Sequence, residues 1–328
     1  MSFDVMLASA YFAGWRIVRW LPEKTAYKIF YWIGEYLAKN DGKSVQRLRS
    51  NLARVRTDLS EKEMDALVIK SMRSYLRYWC DTFRSPDWSS ARILATVTVT
   101  NEELLTKPIS SGRGVIVSLP HAGNWDLAGS YFCAKGIALV TVVERLKPEA
   151  LFQKFLAYRQ AIGMEVLPLD GRSMATLSLR AREGKLIALI ADRDLSSSGV
   201  DVTFFGGPAR MPAGPALLAL KTGAVLLTAF VSYIPDGIHI EFAEIELPTL
   251  GSDQEKINSI TQLCADNFAR GPSTHTIGIC CSEFGLMAIL RSVSNVKQEA
   301  ANRTCLPIWM GYARGSAKPY SRPCGISH

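Results

Sequence analysis

The chain has 328 residues, 48% of them apolar and 21% charged, a balance that supports a buried core and excludes wholesale disorder. A formal charge of +8 and a pI near 9.1 imply an anionic partner, which could be a phosphate-bearing substrate, an anionic bilayer or nucleic acid. No stretch reaches the roughly 18 consecutive apolar residues of a spanning helix, and the early Asp4 without a small-residue cleavage site does not read as a signal peptide, so a cytoplasmic protein with reduced cysteines is expected.

In chain order, residues 5 to 40 interleave Trp15, Ile17, Trp20, Ile29, Trp32 and Tyr36 with Arg16, Arg19, Lys24, Lys28 and Lys39, and Pro22 divides the stretch into two short amphipathic helices. Two placements fit: in the headgroup layer of an anionic bilayer, or packed on the main body. Helical patterns continue over 43 to 57 and 61 to 84. After Pro86 short apolar runs alternate with helical stretches, at 114 to 120, 137 to 143, 164 to 169, 186 to 191, 224 to 231 and 238 to 244. Such runs predict an α/β fold with a mostly parallel central sheet flanked by helices.

Three of these strands end in a chemically loaded residue: His121, Glu144 and Asp192. In an open α/β sheet the carboxyl ends of parallel strands share one edge, where ligands bind. The first motif, LPHAGNWD at 119 to 126, sets His121 five residues before Asp126. On a continuous helix the two would point about 140° apart, so His121 must precede the helix and Asp126 lie one turn into it, facing back to the imidazole. A carboxylate on one ring nitrogen leaves the other free to take a hydroxyl proton. On these residues alone a hydrogen-bonded core histidine also fits. His239, however, falls in a strand pattern and His275 and His328 in an atypical tail, which leaves His121 as the best-placed base.

The second motif, ADRDL at 191 to 195, reads as a solvated ion pair at a strand exit, or as part of a site because it leaves the sheet where His121 does. The third, FFGGPARMPAGP at 204 to 215, reads as a loop-to-helix entry with free N–H groups for a phosphate or oxyanion and with Arg210 adding charge, or as an ordinary glycine turn. No Walker loop, serine elbow, H-E-x-x-H or dinucleotide fingerprint occurs, so nucleotide hydrolysis, serine hydrolysis and zinc catalysis are not expected.

With HAGNWD, the segments VERLKPE at 143 to 149, YRQAIGMEVLPL at 158 to 169, ADRDLSSSGVDVTFFGGPARMPAGPALLALKTGA at 191 to 224 and the N-terminal GWRIVRWLP, the sequence resembles the phosphatidylinositol mannoside acyltransferases over roughly residues 8 to 270. These belong to the wider group of bacterial lysophospholipid and lipid A acyltransferases that share a His-x4-Asp signature. The resemblance implies acyl-CoA, preferably palmitoyl-CoA, as co-substrate with no other cofactor and no metal. It implies as acceptor the 6-hydroxyl of the mannose on the inositol 2-position of a phosphatidylinositol mannoside. His121, Asp126 and Asp192 would be catalytic, Asp192 standing where the family has Glu, so that contact with His121 needs a closer backbone or a water. Arg159, Ser198, Lys221 and His121 would contact acyl-CoA, with Arg210 a further partner for its phosphates. Asn124, Glu144 and Arg145 would line the acceptor side.

The organisation expected is therefore residues 1–40 as membrane-associating amphipathic helices, 41–270 as the α/β acyltransferase domain and 271–328 as an atypical tail. The tail holds 4 of the 7 cysteines, six basic and two acidic residues, a shift of the kind a frameshifted or replaced C-terminus produces, and disorder is expected there. The enzyme would act at the cytoplasmic face of the cell membrane. Rival readings are an acyltransferase acting on a lipid A precursor or a lysophospholipid, and an inactive lipid-binding homologue. Nucleic-acid binding lacks any recognised motif.

Overall fold

The computed structural model describes residues 14–143, 149–194 and 198–274. Glu144, Arg145 and the tail from residue 275 lie outside the described residues, so the expectations placed on them are not addressed by the fold.

Helix α1 (residues 14–20) stops before Pro22, which occupies the N-cap of α2 (Glu23–Lys39). The proline ring ends the first helix and starts the second, as the sequence predicts. After α3 (Lys43–Val55), Ser60 opens α4 (Glu61–Arg84) with a capping box: its hydroxyl accepts the Glu63 N–H while the Glu63 carboxylate accepts the Ser60 N–H at 2.8 Å. Ala26, Phe30, Gly34 and Ala38 form the buried stripe of α2 at a spacing of four residues, and this stripe packs on α4. Ile29, Trp32 and Tyr36 fall on its open face. The packed placement is thus the one the buried face of α2 takes.

The remaining elements run α5 (Ser90–Ala95), β1 (Val97–Thr100), α6 (Glu103–Ser110), β2 (Val115–Leu119), α7 (Trp125–Ala134), β3 (Leu139–Val143), α8 (Glu149–Ala161), β4 (Glu165–Pro168), α9 (Ser173–Arg182) and β5 (Leu186–Ile190). They continue with β6 (Val200–Phe204), β7 (Gly207–Met211), α10 (Gly214–Thr222), β8 (Val225–Ile234), β9 (Gly237–Glu244) and α11 (Asp253–Thr274). Seven strands form one sheet in the order β1-β9-β8-β2-β5-β3-β4. All its pairings are parallel except β8 with β9.

Strand β2 is buried along its whole length and alternates between two cores. Val115, Val117 and Leu119 join the layer that holds α7 and Tyr78 of α4; Ile116 joins the opposite layer, with Leu218 of α10 and Ile260 of α11. Helix-covered faces on both sides explain why these strands read as continuous apolar runs.

Two parts of the fold differ from the sequence reading. Strand β1 was not foreseen, its VTVT being too short to stand out. The glycine pair 206–207 does not lead into a helix: Phe205 and Gly206 both take positive φ, 49° and 72°, and make the tight turn of the β6–β7 hairpin. The helix entry of the same motif lies at Gly214, with Pro215 in its first turn as the sequence predicts.

Candidate active site

Strands β2 and β5 are neighbours, with Leu119 opposite Ile190. His121 and Asp192 each lie two residues beyond that pair, so the register alone brings them together at the carboxyl edge. The Pro120 carbonyl accepts the Ala122 N–H at 2.7 Å, a three-residue turn that puts His121 at its apex. Gly123 then takes φ +58°, and a Cβ there would stand 2.5 Å from the Val231 carbonyl oxygen. Gly123→Ala should therefore lower the melting temperature and displace His121, seen as a drop in kcat larger than the loss of folded protein explains.

The imidazole Nδ1 lies 2.6 Å from Asp192 Oδ1, and the His121 backbone N–H donates to Oδ2 of the same carboxylate at 3.1 Å. An ionised carboxylate only accepts, so Nδ1 carries the proton and Nε2 is the nitrogen left with a lone pair. Burial works against ionisation of Asp192, but the facing His121, by charge and hydrogen bonds, outweighs it and holds the carboxyl below its usual range. Asp192 thus reaches the histidine directly, with no intervening water.

Asp126 does not face back to the imidazole. Its carboxylate is engaged by Arg159 of α8, Nε to Oδ1 at 2.7 Å and a terminal nitrogen to Oδ2 at 3.3 Å, and by the Tyr78 hydroxyl at 3.1 Å. All three groups are deeply set in the layer between α7, α8 and α4. Burial opposes the guanidinium charge of Arg159, yet Asp126 outweighs it and raises its pKa further. What meets His121 from α7 is instead Trp125, edge to face with ring centres 5.3 Å apart and stacked on Tyr78 at 4.5 Å.

Beneath α7 lies a cavity of about 80 Å³, walled almost wholly by apolar groups. Leu119, Ile190, Trp125 and Asp126 stand at its end nearest the carboxyl edge; Leu139 and Leu186, paired at the amino ends of β3 and β5, stand with Met164 at the other. Small residues make the space: Ala128 and Gly129 in the roof and Ala188 and Ala229 in the floor. His121 and Asp192 stand two residues beyond Leu119 and Ile190 of this lining, and such a histidine–carboxylate pair can deprotonate a hydroxyl.

Residues 3–275 match the model of the bacterial lipid A biosynthesis acyltransferases. The chain belongs to that family. It is an acyltransferase. A phosphatidylinositol mannoside acyltransferase of Mycolicibacterium smegmatis is 40% identical over 268 residues, 81% of this chain and 86% of its own. One from Mycobacterium tuberculosis is 38% identical over 271 residues, 81% of this chain and 84% of its own.

The other residues singled out in the sequence fall in three places. Ser198 lies just before β6 and Arg210 on β7: the Asp194 N–H donates to the Arg210 carbonyl at 3.0 Å, and the Arg210 guanidinium reaches the Gly199 carbonyl at 2.6 Å and Asp201 at 3.1 Å. Arg159 and Asn124 are near His121 but turned inward. Arg159 is held by Asp126, and Asn124, buried, caps α7 by accepting the Leu127 N–H at 2.9 Å, so it does not line an open acceptor surface. Lys221 is on the opposite edge. It lies in the last turn of α10, just ahead of the start of β8 beside Val115, and its carbonyl accepts from Arg182; the length of β2 separates it from His121.

Sequence reasoning missed Tyr78 and Trp125 as parts of the site. Nothing local to Tyr78 signals that its hydroxyl meets a carboxylate 48 residues away.

Proposed function

We propose that this acyltransferase moves a fatty acyl group, palmitoyl by preference, from acyl-CoA to the 6-hydroxyl of the mannose on the inositol 2-position of a phosphatidylinositol mannoside, with His121 as general base. The observation that carries this reading is the 2.6 Å contact of His121 Nδ1 with Asp192 at the carboxyl edge of the sheet. In the reaction His121 Nε2 takes the sugar hydroxyl proton as the oxygen attacks the thioester carbonyl. The tetrahedral oxyanion collapses with loss of the CoA thiolate, and the imidazolium, stabilised by Asp192, returns a proton to the sulfur. No acyl-enzyme is needed. The acyl chain would run under α7, and Arg210 and Ser198 would meet a CoA phosphate. The similarity to mycobacterial enzymes named for phosphatidylinositol mannoside supports the acceptor.

The lipid acceptor calls for a membrane surface, and α1 and α2 offer one. Ile17, Trp20, Ile29, Trp32 and Tyr36 are exposed, Trp20 at 75% and Trp32 at 64%, beside Arg16, Lys24 and Lys28. Arg16 sits over the Trp20 ring at 5.2 Å. Exposed aromatics with basic neighbours suit the headgroup layer of an anionic bilayer. No helix among the described residues is long and apolar enough to cross it. Trp20→Ser with Trp32→Ser should weaken co-sedimentation with anionic vesicles by roughly tenfold or more, given about 1.5–3 kcal/mol for burying one large apolar side chain.

Gly129 gives the chain-binding half of the reading its own test. A Cβ there would stand 2.3 Å from Met164 Cε, inside the cavity wall. Gly129→Ala should shift the preference toward shorter acyl-CoA, read as the ratio of kcat/KM for C12 and C16 donors; an unchanged ratio would place the chain elsewhere.

The acceptor is tested by supplying palmitoyl-CoA in anionic vesicles with phosphatidylinositol mannoside, a lysophospholipid or a lipid A precursor, and following CoA release. Fastest release with phosphatidylinositol mannoside supports the reading. Faster release with either other lipid replaces the acceptor, and no release with any would favour a lipid-binding homologue.

A further inference from the structure

Trp125 belongs to both halves of the site. Its indole lies edge to face with the His121 ring, centres 5.3 Å apart, and it also lines the apolar cavity under α7. The ring is held there by Tyr78, stacked on it at 4.5 Å, whose hydroxyl donates to Asp126.

The indole nitrogen is the unexplained atom. Nε1 can only donate, it is buried, and it has no hydrogen-bond partner among the described residues. The carboxylate next along the helix, Asp126, is engaged by Arg159 and Tyr78 instead. Buried polar groups are paired in roughly nine cases in ten, and a buried tryptophan N–H usually finds an acceptor, so an orphan donor beside a catalytic base calls for a role. Left unpaired it destabilises the fold, and packing gains nothing from it that an apolar ring would not supply.

Acyl transfer creates an acceptor at this place. As His121 Nε2 takes the hydroxyl proton over about 2.8 Å, the hydroxyl oxygen bonds to the thioester carbon and the carbonyl π pair moves onto its own oxygen, within about 5 Å of Nε2. The acyl chain on the same carbon leads into the cavity. A group that touches both the imidazole and the cavity is therefore beside the oxyanion. The backbone donors of His121 and Ala122 are engaged elsewhere, by Asp192 and by the Pro120 carbonyl. We propose that the Trp125 indole N–H donates to the thioester carbonyl oxygen and stabilises the oxyanion, which makes Trp125 a catalytic residue. Nε1 keeps its proton throughout; collapse restores the carbonyl, breaks the carbon–sulfur bond and sends the imidazolium proton to the thiolate. The inference deepens the acyl-transfer reading above and rests on it.

Trp125→Phe, and a variant with benzothienylalanine at position 125, are compared with wild type by palmitoyl-CoA turnover in anionic vesicles with phosphatidylinositol mannoside. Both remove the N–H, and the second also keeps the size of the ring and its stack on Tyr78. In each, kcat should fall by about 10² to 10³, the usual cost of one oxyanion donor, with KM for acyl-CoA within about twofold. The melting temperature of the benzothienylalanine variant should hold or rise, because the group removed is a buried donor without a partner; a packing role would lower stability and kcat together. A second readout needs no turnover. It uses two inert analogues of palmitoyl-CoA, a ketone with a methylene between carbonyl and sulfur and a thioether with no carbonyl. The ketone should move the Trp125 indole proton resonance, assigned by its loss in Trp125→Phe, downfield; the thioether should not.

A benzothienylalanine variant that keeps kcat within about threefold of wild type, or loses it only as folded protein is lost, overturns the inference while leaving the reaction intact. So does an indole resonance that moves equally with both analogues or with neither. A wild type that releases no CoA with any acceptor lipid overturns the reading on which the inference rests.

Discussion

Replacing His121 by alanine should lower kcat by about 10² to 10⁴, the usual contribution of a general base, with little change in KM for acyl-CoA. The side chain is a quarter exposed and its removal leaves no deep cavity, so the protein should stay folded. Asp192→Asn should approach the same loss by another route. A side-chain amide can present its NH2 to Nδ1, which moves the imidazole proton to Nε2 and removes the lone pair that attacks the hydroxyl. The pairing has a signature in stability as well. Because the folded carboxyl titrates below its usual range, its contribution is present above the unfolded value of about 4 and is lost as pH falls through the folded value. The melting-temperature advantage of wild type over Asp192→Asn should therefore hold at pH 6 to 7 and shrink in acid; an advantage independent of pH would mean that the carboxylate charge is not what His121 holds.

The largest effect on stability should come from breaking the pair beneath α7. Asp126 is almost fully buried, and Arg159 is its one cationic partner at hydrogen-bonding distance among the described residues. Arg159→Met leaves the carboxylate facing only Tyr78, and removing one member of a buried pair costs about 3–5 kcal/mol. Urea unfolding measures this as a lowered midpoint with an unchanged slope. Asp126→Leu combined with Arg159→Met should regain much of the loss, since both ends then become apolar. A cost under about 1 kcal/mol for the single variant would show that the pair behaves as a solvated one. In the folded fraction, the single variant should also lose activity, because α7 carries Trp125 against His121 and roofs the cavity.

Much of this architecture is legible in the sequence. The apolar runs place six strands within two or three residues of their observed bounds, and the ends of two of them name His121 and Asp192. What those runs do not contain is strand order. Only once β5 lies beside β2, with Leu119 opposite Ile190, does the equal two-residue overhang become a contact. The reading of Asp126 failed for a related reason. Its spacing from His121 permits a turn back to the imidazole, but a guanidinium 33 residues on, delivered by α8, binds a carboxylate more strongly than a neutral ring does. The edge on which Lys221 falls follows from topology: a helix that feeds a parallel strand ends at the amino edge, away from His121. The hairpin was hidden because Phe205 adopts a positive φ that its residue type does not advertise.

The measurement that bears most directly on the whole account is the mass-spectrometric mapping of the lipid product after wild type is given palmitoyl-CoA and phosphatidylinositol mannoside in anionic vesicles, beside His121→Ala. One added palmitoyl group on the 6-hydroxyl of the mannose at the inositol 2-position, made by wild type and lost in the variant, is the expected result. Palmitate on another hydroxyl, the same product from His121→Ala, or free palmitate with no acylated lipid would contradict it.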